Sequence, residues 1–336
     1  MLAIVLATAL GLTNNVLIVD HLNINHQKGR HDLAKAFYFD VLGCRPDPRK
    51  AENLDAGKGT VWANTGISQF HLSEGKPNAQ TLDGRVTLGY ASLSGVRSRL
   101  AAGTPDVLAD SAFDVLGDAG TSVTLRDPWG SIFELVEADD VEDARGSQPS
   151  GADAEPRAMI DLEISVPASA GAAGLAGIGR FYEQILGMCV FSCDETRLVL
   201  ATAGAPRADG TPRQSLTFAL APSGRAVAHD ESDVDEDGRP LNRGAHISLY
   251  LDDMEGAYRR ADALGLCYVN HRFKRRAYSL DEAVADCMFR MLDVVDPDDV
   301  RARPILRIEH EVRSALKADG SKYKSCPLDV SACAAA

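Results

Sequence analysis

Positive charge is in short supply in this chain of 336 residues: Lys and Arg number 35 against 48 Asp and Glu, a formal charge of −13. Surfaces that hold nucleic acid or anionic lipid need clustered cations, so neither is expected as the main partner. Long apolar runs are missing too. The one candidate, Met1 to Leu12, is polar only at Thr8. It falls well short of the roughly 20 residues that span a bilayer, and it lacks the positive residues that open a secretory signal. It reads as an extra strand or helix, or a weak targeting segment, and an intracellular location (cytoplasm or organelle) is expected. Cysteine is scarce and odd in number: seven, at positions 44, 189, 193, 267, 287, 326 and 333. Disulfide frameworks are usually short, with an even count, and Cys189 with Cys193 has no second pair to complete a zinc knuckle. Free thiols in a reducing compartment are the expectation.

What remains is ordinary globular composition, 45% hydrophobic and 25% charged, in a length that suits two domains. The clearest break is Ala138 to Arg157, rich in Gly, Pro, Ser and acids, with Val141 as its one β-branched residue. Such a stretch cannot bury enough apolar surface to order itself. We therefore divide the chain into an apolar segment 1–15, a domain 16–138, a linker 139–157, a domain 158–314 and a tail 315–336. A second acidic stretch, Asp230 to Asp237, lacks the central Gly and terminal Glu of a calcium loop and reads as a surface loop.

The two halves repeat each other. Each opens on period-two alternation, Val19 to Asn25 and Ile160 to Ser165, the mark of a half-buried strand. Each continues into a helix with the same words, Phe37-Tyr38 to Leu42-Gly43 and Phe181-Tyr182 to Leu186-Gly187. The aromatic and the leucine share a helical face, and the glycine supplies a left-handed cap. Strands at 61–64, 69–72, 86–93, 122–126 and 132–137, with a helix at 95–101, complete the first half. The second half offers strands at 198–201, 216–220, 246–251, 267–273, 289–295 and 306–312, with a helix at 254–264. The unit is βαβββ, four times over.

These words, with Asp127-Pro128-Trp129-Gly130-Ser131-Ile132-Phe133-Glu134-Leu135 and Gly244-Ala245-His246-Ile247-Ser248-Leu249, resemble the vicinal oxygen chelate superfamily of glyoxalases, extradiol dioxygenases and methylmalonyl-CoA epimerases. The resemblance covers about residues 16–138 and 158–314. It implies an α+β fold in which four βαβββ modules form two glyoxalase-like domains, with curved mixed sheets that each cup a divalent metal. It also implies a small-molecule substrate that chelates the metal through two vicinal oxygens. The activity would be that of a lyase, an isomerase or a ring-cleaving dioxygenase. A monomer is expected, without excluding an oligomer.

Carried over residue by residue, the first module offers His21 and His71, the second Glu134, the third Asp161, and the fourth His246 and Glu309, with Glu311 as the fallback in that last strand. If each half closes on itself, two incomplete sites result: His21, His71 and Glu134, and Asp161, His246 and Glu309. If the halves exchange modules, as fused two-domain glyoxalases do, His21, His71, His246 and Glu309 make one full site. Asp161 and Glu134 are then left in a lapsed one beside Val86 and Thr217. Three imidazoles and a carboxylate suit Zn, Ni, Fe, Co or Mn, and Glu309 is the candidate proton carrier. His71 departs from the glyoxalase pattern, where a carboxylate is commoner, and Asp161 from the dioxygenase pattern.

Other features have plainer readings. His26, His31, His229, His271 and His310 are expected at the surface. Gly171, Gly174, Gly177 and Gly179 imitate a dinucleotide loop, but their spacing is not GxGxxG. They fall where the loop before the helix is four residues longer than in the first half. The cluster Arg272 to Arg276, set before an insertion at 277–286, could clamp a carboxylate or phosphate or simply be solvated. Cys326 in the tail has no support as a reactive thiol. A non-catalytic protein that sequesters a small molecule in the same fold is the alternative function.

Overall fold

A computed structural model describes residues 14–75, 79–138, 155–222, 227–228 and 244–328. The apolar segment Met1 to Leu12, His229, the acidic stretch 230–237 and residues 139–154 of the linker lie outside them. In chain order the strands are β1 (Val16–His26), β2 (Arg45–Pro46), β3 (Val61–Thr65), β4 (Ser68–Glu74), β5 (Thr81–Leu82), β6 (Gly84–Tyr90), β7 (Asp114–Asp118), β8 (Ser122–Arg126), β9 (Ile132–Glu137), β10 (Pro156–Pro167), β11 (Cys189–Cys193), β12 (Arg197–Ala201), β13 (Ser215–Ala221), β14 (Val227–Ala228), β15 (His246–Leu251), β16 (Met288–Val294) and β17 (Leu306–Ser314). They form a seven-stranded sheet ordered β16-β17-β15-β1-β4-β3-β2, an eight-stranded sheet ordered β11-β12-β13-β10-β6-β9-β8-β7, and the pair β14-β5. The architecture is α+β with mixed sheets. Contacts divide the chain into two units, Met1–Asp20 with Glu163–Ala226 and His246–Ala336, and His21–Leu162 with Val227–Ala245. The divide falls inside β1 and inside β10.

Strand, helix and three strands recur in β1–β4, β6–β9 and β10–β13; the fourth copy, β15 to β17, has one strand fewer. A strand was expected at 267–273, yet a single bridge, Cys267 to Met291, is all that forms there. The Asn270 side chain accepts the Arg272 amide at 2.9 Å, and Arg276 Nε donates to the Phe273 carbonyl at 2.9 Å. These local bonds turn the backbone and use up groups a ladder would need. The expected insertion holds a helix, Leu280–Asp286, whose first turn is capped by Ser279.

Both repeated helix ends behave as their sequence words suggest. Gly43 and Gly187 take φ of +77° and +69°, the left-handed conformation that ends a helix at little steric cost. The glycines that imitate a nucleotide loop instead build the helix Gly171–Phe181. A Cβ at Gly177 would stand 2.8 Å from Ile305 Cδ1 and 3.2 Å from Asp296 Cβ. Close packing against the segment before β17 is what that position requires.

β1 is buried along its length, so its polar backbone must be satisfied from both edges. In one unit the Gln214 side chain accepts the Val19 amide at 2.7 Å and donates to the Val19 carbonyl at 2.9 Å. In the other, Gln80 pairs with Asn25 through its side-chain oxygen (3.0 Å) and its own amide (2.8 Å). Each glutamine thus meets both backbone polar groups of one β1 residue.

Gly66, in the turn between β3 and β4, has φ +63°, and a Cβ there would fall 1.7 Å from the Arg157 carbonyl oxygen, which accepts the Ile67 amide at 3.0 Å. Gly66→Ala is expected to cost at least about 2 kcal/mol, since strain and a backbone clash add. Chemical denaturation, with Gly120→Ala (φ +82°, nothing within 4 Å) as the strain-only control, checks this.

Candidate metal centre

β15 and β17 run parallel with His246 opposite Glu309 and Ser248 opposite Glu311, and antiparallel β16 sets Arg290 opposite Glu311. Alternate residues share a face, so Glu309 and Glu311 point together while His310 between them points away. Arg290 donates to both carboxylates, and Arg313 donates to Glu311. Asn270 Nδ2 donates to Glu309 Oε2 at 2.7 Å. His246 Nε2 stands 3.7 Å from a Glu311 oxygen. None of His246, Arg290, Glu309 and Glu311 is more than 5% exposed. Burial pushes the Glu309 carboxyl above its usual range, against the pull of Arg290 and Asn270. The Phe273 ring closes this face: the Arg290 guanidinium carbon lies 4.0 Å from its centroid, and the His246 ring meets it edge-on at 5.3 Å.

On β1 and β4, the His21 ring stacks on His71 at 3.7 Å, and His71 stacks on Trp62 at 4.4 Å. A Gln69 side-chain oxygen lies 3.2 Å from His71 Nε2, and Gln69 Nε2 donates to Asp47 at 2.7 Å. The Arg49 guanidinium carbon sits 4.6 Å from the centroid of the Trp62 ring. His71 is thus the middle layer of an aromatic stack, and His21 is its inner end.

From the seven-stranded sheet, one donor atom each of His21, His246 and Glu311 comes within 4.8 Å of the other two. Donors on a shared ion with bonds near 2.1 Å stand roughly 3–3.5 Å apart, so the group closes with side-chain movements of about an ångström. Two imidazoles and a carboxylate form a chemically suitable set for a borderline divalent ion. The carboxylate in this group is Glu311, whereas the family pattern put Glu309 there; Glu309 is turned to Asn270 and Arg290. His71 is outside the group.

Of the expected lapsed set, Glu134 pairs with Arg85 at 3.0 Å, Thr217 is buried on β13, and Asp161 is half-buried on β10. Among the described residues no second group of three His, Cys, Asp or Glu donors gathers as tightly. Three histidines expected at the surface are buried: His26, His31 and His310 are 0%, 4% and 0% exposed. Burial lowers His26 and His310 to about 4, so both are neutral at pH 7, and His310 Nε2 shares a hydrogen bond with the Tyr182 hydroxyl at 2.6 Å. His271 is exposed, as expected. Arg290, Asn270 and Phe273 were not anticipated. The signal for Arg290 was present, a lone cation inside Met288-Phe289-Arg290-Met291-Leu292, because a charge in a buried strand implies a buried partner.

No family model matches the chain, and neither does any curated protein. Solved structures do. A Bacillus subtilis subsp. subtilis str. 168 protein put forward as a dioxygenase matches with TM-score 0.50 at 15% identity, over 90% of this chain and 86% of its own. Glyoxalase I from Zea mays matches with TM-score 0.48 at 12% identity, over 89% and 92%. At such identities likeness speaks for the fold alone.

Removing Arg290 would leave two buried carboxylates short of a cation, a change that typically costs about 3–5 kcal/mol. Arg290→Met is therefore expected to melt several degrees below wild type in metal-free buffer. Added Zn²⁺ should raise its melting temperature more than it raises that of wild type, because the guanidinium no longer competes for Glu311. Differential scanning fluorimetry with and without Zn²⁺ and EDTA reads both effects.

Proposed function

We propose that this chain is a metal-dependent enzyme acting on a small substrate through two vicinal oxygens, with His21, His246 and Glu311 as the protein ligands. The observation that carries this reading is the approach of those three buried donors to within 4.8 Å of one another. A divalent ion (Zn, Ni, Fe, Co or Mn) bound there would supply Lewis-acid polarisation of the substrate oxygens.

The remaining work falls to the chain's own groups. Glu309 is the proton carrier in this reading. Its carboxyl is already raised by burial, which brings it closer to the range where a general base works at neutral pH. Asn270 and Arg290 fix its two oxygens, so proton transfer occurs at a set place. His71 keeps the His21 ring in position by stacking, and Phe273 covers the Arg290 guanidinium and packs against the His246 ring. Whether the reaction is lyase, isomerase or dioxygenase chemistry depends on the substrate. Asp161 and Glu134 belong to a second cup that we take to have lost its metal.

One observation favours the alternative, a non-catalytic binder. Arg290 already bridges Glu309 and Glu311, so the carboxylates have a cation without any metal. Metal analysis by mass spectrometry on tag-free protein separates the readings. Near one equivalent of a transition metal is expected, with affinity falling at least about tenfold in His246→Ala and in Glu311→Gln. Less than about a tenth of an equivalent after loading would overturn the enzyme reading.

A further inference from the structure

Resting on that reading, we infer that the substrate carries an anionic group, a carboxylate or phosphoryl, beside its two chelating oxygens. The segment 270–276 would be the element that selects it.

Charge balance inside the cluster is the first argument. Glu309, Glu311 and the buried Asp20, which acts on Arg313, face Arg290 and Arg313, so these buried charges sum to minus one. A divalent cation among neutral imidazoles leaves one positive charge uncompensated in a region shielded from water, as much as a single anionic group would cancel. Uncompensated buried charge is costly, and a neutral chelator would not relieve it. An anionic one would.

The second argument is the rim. From Ala263 to Leu280 the chain has no acidic residue, and within that span stand Arg272, Lys274, Arg275 and Arg276, all exposed. In a chain of net charge −13 this is a local reversal of sign. The segment is fastened to the cluster rather than hanging free. Asn270 holds Glu309, and Phe273 covers Arg290 and His246. Arg276 is spent on the carbonyls of Phe273 and His271 and Arg275 on the Tyr323 hydroxyl. Those bonds run to uncharged oxygens, so they shape the loop without neutralising Arg275 and Arg276. Lys274 follows the covering ring directly and is the cation placed to meet a ligand's anionic arm. Cations at the mouth of a site raise the local concentration of an oppositely charged ligand and speed its arrival.

The test compares ligands that share one chelating unit and differ in the charge they carry: catechol, dopamine, 3,4-dihydroxybenzoate and 3,4-dihydroxyphenylphosphonate, titrated calorimetrically into Zn²⁺-loaded protein. The anionic pair should bind about tenfold or more tighter than catechol, with dopamine weakest and the gap narrowing as salt rises; the stronger of the two identifies the anion. Lys274→Glu should remove most of the gap and leave catechol binding unchanged. Equal binding of all four, or an equal loss of catechol and dihydroxybenzoate in Lys274→Glu, overturns the anionic-substrate inference while the chelating site stands. Failure of every ligand to bind protein shown to hold metal overturns the chelate reading and this inference with it.

Discussion

Two carboxylates on adjacent positions of one strand face, buried and 4% exposed or less, set the terms for the rest of the seven-stranded sheet. Glu309 and Glu311 cannot stay ionised in a dry core without cations and donors aimed at them. That need accounts for a guanidinium inside a strand of methionines and phenylalanine, for the arginine at 313, and for Asn270 leaving its expected strand to reach back to Glu309. It also links function to stability. The group that makes the carboxylates tolerable, Arg290, would also compete with a metal for one of them in the proposed reading, so loading the centre and relaxing the ion cluster would be coupled events.

The fold was legible because its signals are periodic and repeated. The alternation at Val19 to Asn25 and at Ile160 to Ser165 became β1 and β10, and the two helix words ended at left-handed Gly43 and Gly187. The candidate centre was legible only in part. His21 and His246 stand in strands whose pattern fixes which face each residue takes, and both join the donor group. Choosing between Glu309 and Glu311 was beyond the pattern, because two residues on one strand share a face and differ by a single pleat. The donor group contains Glu311, while Asn270 takes one oxygen of Glu309, and Asn270 lies in a turn that hydrophobic alternation had assigned to a strand. His26 and His310 were misplaced for a related reason. A histidine is polar in composition, but on the helix-facing side of a strand it can be accommodated neutral, as His310 is against Tyr182.

The two sheets descend from the same repeat yet handle their carboxylates differently, and the difference is one of burial. In the eight-stranded sheet Glu134 pairs with Arg85, their side chains 26% and 33% exposed, and Glu163 pairs with Arg197 at 17% and 38%. Solvent screens such pairs, so each contributes little to stability and needs no further support. In the seven-stranded sheet Glu309 and Glu311 are buried, where screening is lost and every charge must be met by another. In the first case Glu134 and Glu163 rest on part-exposed arginines, and among the described residues no group of three metal donors gathers with them. The second case holds imidazoles and acids together at a place where adding or removing a cation changes the energy steeply, which is the condition a metal centre requires. Burial of the acids is thus what distinguishes the sheet that gathers the candidate donors from the other.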